Sequence, residues 1–112
     1  MSKFLYLFWN KQAGWAPQSP EQMEQRMKTW MVWMDGLKQS GHFQGAGDRL
    51  EGTGKLVKAK SVSDGPYAEA KDTIGGYIVV QAKDIDEAVE LSKGCPILAG
   101  EGMVEVRPIA SM

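Results

Sequence analysis

The chain has 112 residues, of which 43% are hydrophobic and 24% charged, and its formal net charge is −1. That length predicts one domain over residues 1–112 with one core, and the composition excludes a disordered chain. The charge offers no basic face for nucleic acid, and one cysteine, Cys95, excludes an internal disulfide framework.

Residues 4–9 (Phe-Leu-Tyr-Leu-Phe-Trp) are aromatic-rich and bounded by Asn10 and the Gly14/Pro17 region. They predict a strand. Both alternating sets are apolar: Phe4, Tyr6 and Phe8 on one face, Leu5, Leu7 and Trp9 on the other. Such a strand needs cover on both sides. The run is too short to span a bilayer and has no small-residue cleavage site, so no membrane association is expected and the cytoplasm is the expected location.

A long helix follows. Ser19 is its N-cap, Pro20 stands at the first helical position, and Gln22 completes a capping box. Met23, Met27, Trp30, Met34 and Leu37 recur at helical spacing, Met31 and Trp33 widen the stripe, and Gly41 is the stop. The stripe is read mainly as core, with one edge left for a partner subunit or a ligand. Residues 42–63 are punctuated by Gly45, Gly47, Gly52 and Gly54. One strand is expected near 43–50 and a second near 55–62.

Residues 63–67 (Ser-Asp-Gly-Pro-Tyr) have the composition of a turn. A strand over 77–82 follows Gly75-Gly76. Asp84 caps a second helix with Glu87 as its box partner, and Ala88, Leu91 and Cys95 line the inner face. Gly94 and Pro96 end that helix, and a last strand covers 103–109. The order predicts an α+β, ferredoxin-like sheet with helices on one face and an extra hairpin. The other sheet face carries apolar side chains of the first strand with Tyr77, Val79, Glu105 and Arg107. Two such sheets packed face to face, in a homodimer, would remove that patch from water.

The polar cluster that can carry chemistry is Asp64, Tyr67, Glu69, Lys71, Asp72 and Tyr77, with Glu105 and Arg107. Asp64 is either an Asx-turn residue or a carboxylate held by Gly65 and Pro66 at a pocket mouth, where it exchanges a proton or orients a base. Glu69 and Lys71 form either a solvated edge or part of the ligand site. Glu105 and Arg107 stand two apart on a strand and so share a side. There they make a structural ion pair, or Arg107 grips an anionic group of a ligand. His42, the only histidine, is expected at the surface just after the long helix. One histidine and one cysteine make no metal set, so neither metal nor cofactor is expected.

The segment Asp64-Gly65-Pro66-Tyr67-Ala68-Glu69-Ala70-Lys71 resembles the YCII-related proteins, in the branch named for an Asp-Gly-Pro-Phe motif. The likeness continues through Gly75-Gly76-Tyr77, the helix start at Asp84, Gly94-Cys95-Pro96 and Val104-Glu105-Val106-Arg107-Pro108. The resemblance implies a ferredoxin-like fold paired into a dimeric α/β barrel. It also implies a small-molecule site, of the kind used by a cofactor-free acid/base enzyme (an isomerase, or a dehydrochlorinase like the relative that acts on a chlorinated hydroxyquinol), on a fold shared with muconolactone isomerases and cofactor-free monooxygenases. Some relatives use a His–Asp pair with the histidine near the start of the first helix. This chain matches the aspartate at Asp64 but has no histidine at residues 15–21, and Tyr67 replaces the motif's Phe. Two functions stay open. One is a small-molecule enzyme for an anionic ring compound, with Asp64 catalytic and Tyr67, Glu69, Lys71, Tyr77, Glu105 and Arg107 binding. The other is a non-catalytic ligand-sensing or protein-interaction module linked to transcriptional regulation.

Overall fold

The structure, a computed structural model, describes residues 1–11, 19–65 and 72–111. The elements in chain order are β1 (Ser2–Lys11), α1 (Pro20–Gln39), β2 (Phe43–Arg49), β3 (Gly54–Lys58), β4 (Ser61–Gly65), β5 (Asp72–Ala82), α2 (Ile85–Ser92), a 3-10 turn (Pro96–Ala99) and β6 (Met103–Pro108). The main sheet is antiparallel in the order β2-β5-β1-β6, and β3 and β4 pair separately. This is the expected ferredoxin-like sheet with a hairpin inserted between its second and third strands.

The helix starts follow their capping residues. Ser19 Oγ accepts the Gln22 N–H at 3.1 Å, and Gln22 Oε1 accepts the Ser19 N–H at 2.9 Å. Asp84 Oδ1 accepts the Glu87 N–H at 2.9 Å, but Glu87 reaches past the expected partner to the N–H of Lys83, at 3.1 Å. Each bond satisfies a donor that a helix or its entry leaves open.

The core lies between the sheet and the helices. Phe4, Tyr6 and Phe8 of β1, with Ile78, Val80 and Ala82 of β5, are buried against Leu37, Ala88, Cys95 and Ile97. The Phe8 ring meets Trp30 edge-on at 5.0 Å and Trp33 at 6.1 Å. The Tyr6 hydroxyl donates to the Ala88 carbonyl, and Trp33 Nε1 donates to the Leu91 carbonyl at 3.2 Å, so β1, α1 and α2 are tied together.

Three expectations need correction. The single strand expected near 55–62 is a hairpin, with Val57 opposite Val62 and Lys58 opposite Ser61. Its reversal at Ala59-Lys60 uses no positive φ, so no glycine or asparagine marks it. The turn expected over 63–67 is strand through Gly65, since β4 continues the ladder opposite β3; Pro66 and Tyr67 lie outside the described residues. The α1 stripe packs only in its second half. Trp30, Trp33, Met34 and Leu37 meet the core, while Met23, Met27 and Met31 are exposed, because the remaining helix-side cover comes from α2 and the 3-10 turn. The radius of gyration, 15.5 Å, exceeds the roughly 13 Å usual for a domain near this length. Projecting parts of this kind raise it.

Cys95 is buried after α2, where desolvation pushes its thiol from 9.0 up to about 11. The unfolded chain then loses this proton near pH 9 while the folded chain keeps it, so the unfolded state binds fewer protons across that window. Stability therefore falls as pH rises from about 9 towards 11. The urea midpoint of the wild type is expected to drop over this range, and that of Cys95→Ala to drop less. Equal slopes would contradict it.

Candidate functional site: the open face of the sheet

Both helices pack on the face that carries Phe4, Tyr6 and Phe8. Among the described residues no helix covers the opposite face. The thinnest dimension of the molecule is 20 Å, the depth of one sheet and one helix layer at about 10 Å each.

Register lays out the open face as a grid. One row runs Asp48, Tyr77, Leu7, Glu105 from β2 across β5 and β1 to β6, each residue directly opposite the next. Beside it Val79, Leu5 and Arg107 form a second row, and Ile74, Trp9 and Met103 a third. In these rows Leu5, Leu7, Trp9 and Val79 make an apolar middle, with Asp48 on one edge strand and Glu105 and Arg107 on the other; Lys3, opposite Gln81, follows on the same side of β1 and β5. Three strand spacings separate Asp48 from Glu105, roughly 14 Å.

Two hydrogen bonds organise the polar groups. Trp9 Nε1 donates to Glu105 Oε1 at 2.9 Å, and Arg107 Nε lies 3.9 Å from Glu105 Oε2. At the other edge the Tyr77 hydroxyl donates to Asp48 Oδ2 at 3.0 Å. That bond, with the charge of Asp48, raises the Tyr77 phenol above its usual range, so Tyr77 is a donor at neutral pH. Gly47 makes this edge possible. A Cβ there would stand 2.6 Å from the Tyr77 carbonyl oxygen and 2.6 Å from Ile78 Cγ2. Its absence lets β2 close on β5 after the register shift between Phe43 and Gly47, which sets Asp48 opposite Tyr77.

Of the residues singled out by sequence, the structure brings Tyr77, Glu105 and Arg107 onto this face. Asp64 stands on β4, exposed and ion-paired with Lys55. Tyr67, Glu69 and Lys71 lie outside the described residues. Asp72 pairs with Lys11 in the β1–β5 ladder. Trp9 and Asp48 were missed as site residues. Trp9 was legible as the third member of the Leu5/Leu7 face, whereas nothing short of the β2 register points to Asp48. His42 is not at the surface. Its side chain is 14% exposed, Nδ1 donates to the Gln81 carbonyl at 2.8 Å, and Glu87 Oε1 lies 3.9 Å away. The return of the chain from α1 into β2 tucks it against β5 and α2.

A concavity of about 680 Å³ lies between the start of β1, Ile85 and the residues that follow β6. None of the site residues lines it.

An α+β chain with two helices on one face of a four-stranded antiparallel sheet and a polar-edged open face is thereby defined. The family model of the YCII-related domain matches residues 4–112, and the chain belongs to that family. No curated protein matches it. Among the described residues no helix is long and apolar enough to cross a membrane.

Proposed function

We propose that the chain is a cytoplasmic small-molecule-binding domain that works as a homodimer, with its ligand held between two open sheet faces. The observation that carries this reading is the combination on one uncovered face of an apolar floor (Leu5, Leu7, Val79) with oriented polar groups at its edges (Tyr77 on Asp48, Trp9 on Glu105) and the cation Arg107. Binding sites commonly have this composition: mostly apolar walls with a few fixed polar groups. The ligand is a small ring compound bearing an anionic group. Its ring lies on the leucines and Trp9, Arg107 grips the anion, and Tyr77 donates a hydrogen bond.

Binding is better supported than catalysis. The Asp64 carboxylate is 88% exposed and paired with Lys55 on the separate β3–β4 hairpin, apart from the groups of the open face. The enzyme reading gives Asp64 the acid/base role, on the strength of its Asp-Gly-Pro context.

The test is a thermal-shift series with benzoate and catechol as probes on the wild type, Arg107→Ala, Tyr77→Phe and Asp64→Asn. A ligand at a hundred times its Kd stabilises the native state by about 2.7 kcal/mol. Stabilisation is expected in the wild type and lost in the Arg107 and Tyr77 variants. Asp64→Asn separates the roles: if Asp64 is the acid/base, this variant keeps the shift and loses turnover of any bound probe that is converted. No shift with either probe, in a folded protein, would reject the ligand site and leave the interaction-module reading.

A further inference from the structure

On the open face, the β2 edge carries one carboxylate, Asp48, and the β6 edge carries a carboxylate and a cation, Glu105 and Arg107. Asp48 Oδ1 accepts no hydrogen bond among the described residues, while Oδ2 accepts the hydrogen bond of the Tyr77 hydroxyl. Arg107 has a side chain that is 67% exposed and, among the described residues, attached only through the 3.9 Å contact of Nε with Glu105. Its terminal nitrogens are unengaged among the described residues. Each group is tolerable in water, but covering either without a counter-charge is costly.

We propose that Asp48 of one chain pairs with Arg107 of the partner subunit, so that each ligand site is built from two chains. The inference rests on the dimeric reading above and adds which edges meet. Two sheets stacked face to face about a two-fold axis have two simple arrangements. An axis across the strands lays β2 on β2 and sets Asp48 near its own copy, with no cation of the β2 edge between the two carboxylates. An axis along the strands lays the β2 edge over the partner's β6 edge, and symmetry repeats the contact at the opposite side. Only the second arrangement lays the edge with the unengaged carboxylate oxygen over the edge with the unengaged guanidinium end; Asp48 then stands over the Glu105 row, two residues (roughly 7 Å) along the strand from Arg107, a step that the long arginine side chain spans. The planar fork of arginine keeps Nε on Glu105 and offers its terminal N–H pair to Asp48. One site then contains Asp48 and Tyr77 from one chain, and Trp9, Glu105 and Arg107 from the other.

Charge reversal tests this pairing. The dimer dissociation constants of the wild type, Asp48→Lys, Arg107→Glu and the double variant are measured by sedimentation equilibrium, with circular dichroism confirming the fold. Each single variant is expected to weaken the dimer by about tenfold or more, and the double variant to return to within about threefold of wild type. If a reversed variant does not fold, the milder Asp48→Asn and Arg107→Gln pair reads the same coupling: each weakens the dimer, and the double is no weaker than either single. A dimeric wild type whose variants lose nothing, or lose additively, overturns the edge pairing and leaves the dimeric site standing. A wild type that stays monomeric overturns both.

Discussion

Replacing Phe8 with alanine destabilises the folded chain by about 3–5 kcal/mol. Phe8 is 5% exposed, and its ring meets both Trp30 and Trp33 of α1. Removing it opens a cavity bounded by two rigid indoles on one side and the β1 backbone on the other, so little of the space can close. Against a total stability of about 5–15 kcal/mol, that is a large fraction. The drop in melting temperature is expected to exceed about 10 °C. Thermal unfolding at fixed protein concentration checks it, because the proposed dimerisation would make the midpoint depend on concentration. A shift of only a few degrees would mean that α1 is not anchored through this contact.

Replacing Leu7 with glutamate is expected to separate the subunits of the proposed dimer and to leave the single chain folded. Leu7 is at the middle of the open face, directly between Tyr77 and Glu105. Its side chain is half-buried in the single chain, so a carboxylate there stays hydrated while the chain is alone. Between two stacked sheets the same carboxylate is covered, faces Glu105 on the next strand, and has no cation in its row. A buried unpaired charge costs about 3–5 kcal/mol, which is at least a hundredfold in the dissociation constant. Sedimentation of Leu7→Glu beside the wild type reads that change directly. A variant that dimerises as well as the wild type would show that this face is not the interface.

The two-sided hydrophobicity of residues 4–9 was legible because both alternating sets are apolar, and a strand has only two faces. The capping signals at Ser19 and Asp84 were legible because they are local chemistry, complete within a few residues. An extra hairpin was legible, but its bounds at β3 and β4 were not, since its turn needs no positive φ and carries none of the residues that advertise one. The exposure of Met23, Met27 and Met31 was hidden because helical spacing reports which side chains share a stripe, not how far the neighbouring layer extends beneath them. At the site, Glu105 and Arg107 were placed together by strand alternation alone. Asp48 became visible only through the register of β2 on β5, a long-range property set by the close approach at Gly47.

The account depends on one claim, that a second copy of the chain covers the open sheet face. Sedimentation velocity of the wild type at micromolar concentration tests it most directly. The expected result is a single species of twice the 12.3 kDa chain mass. A species of one chain mass at that concentration would contradict the account, leaving Leu5, Leu7 and Val79 as surface and the polar edges without a cavity to enclose.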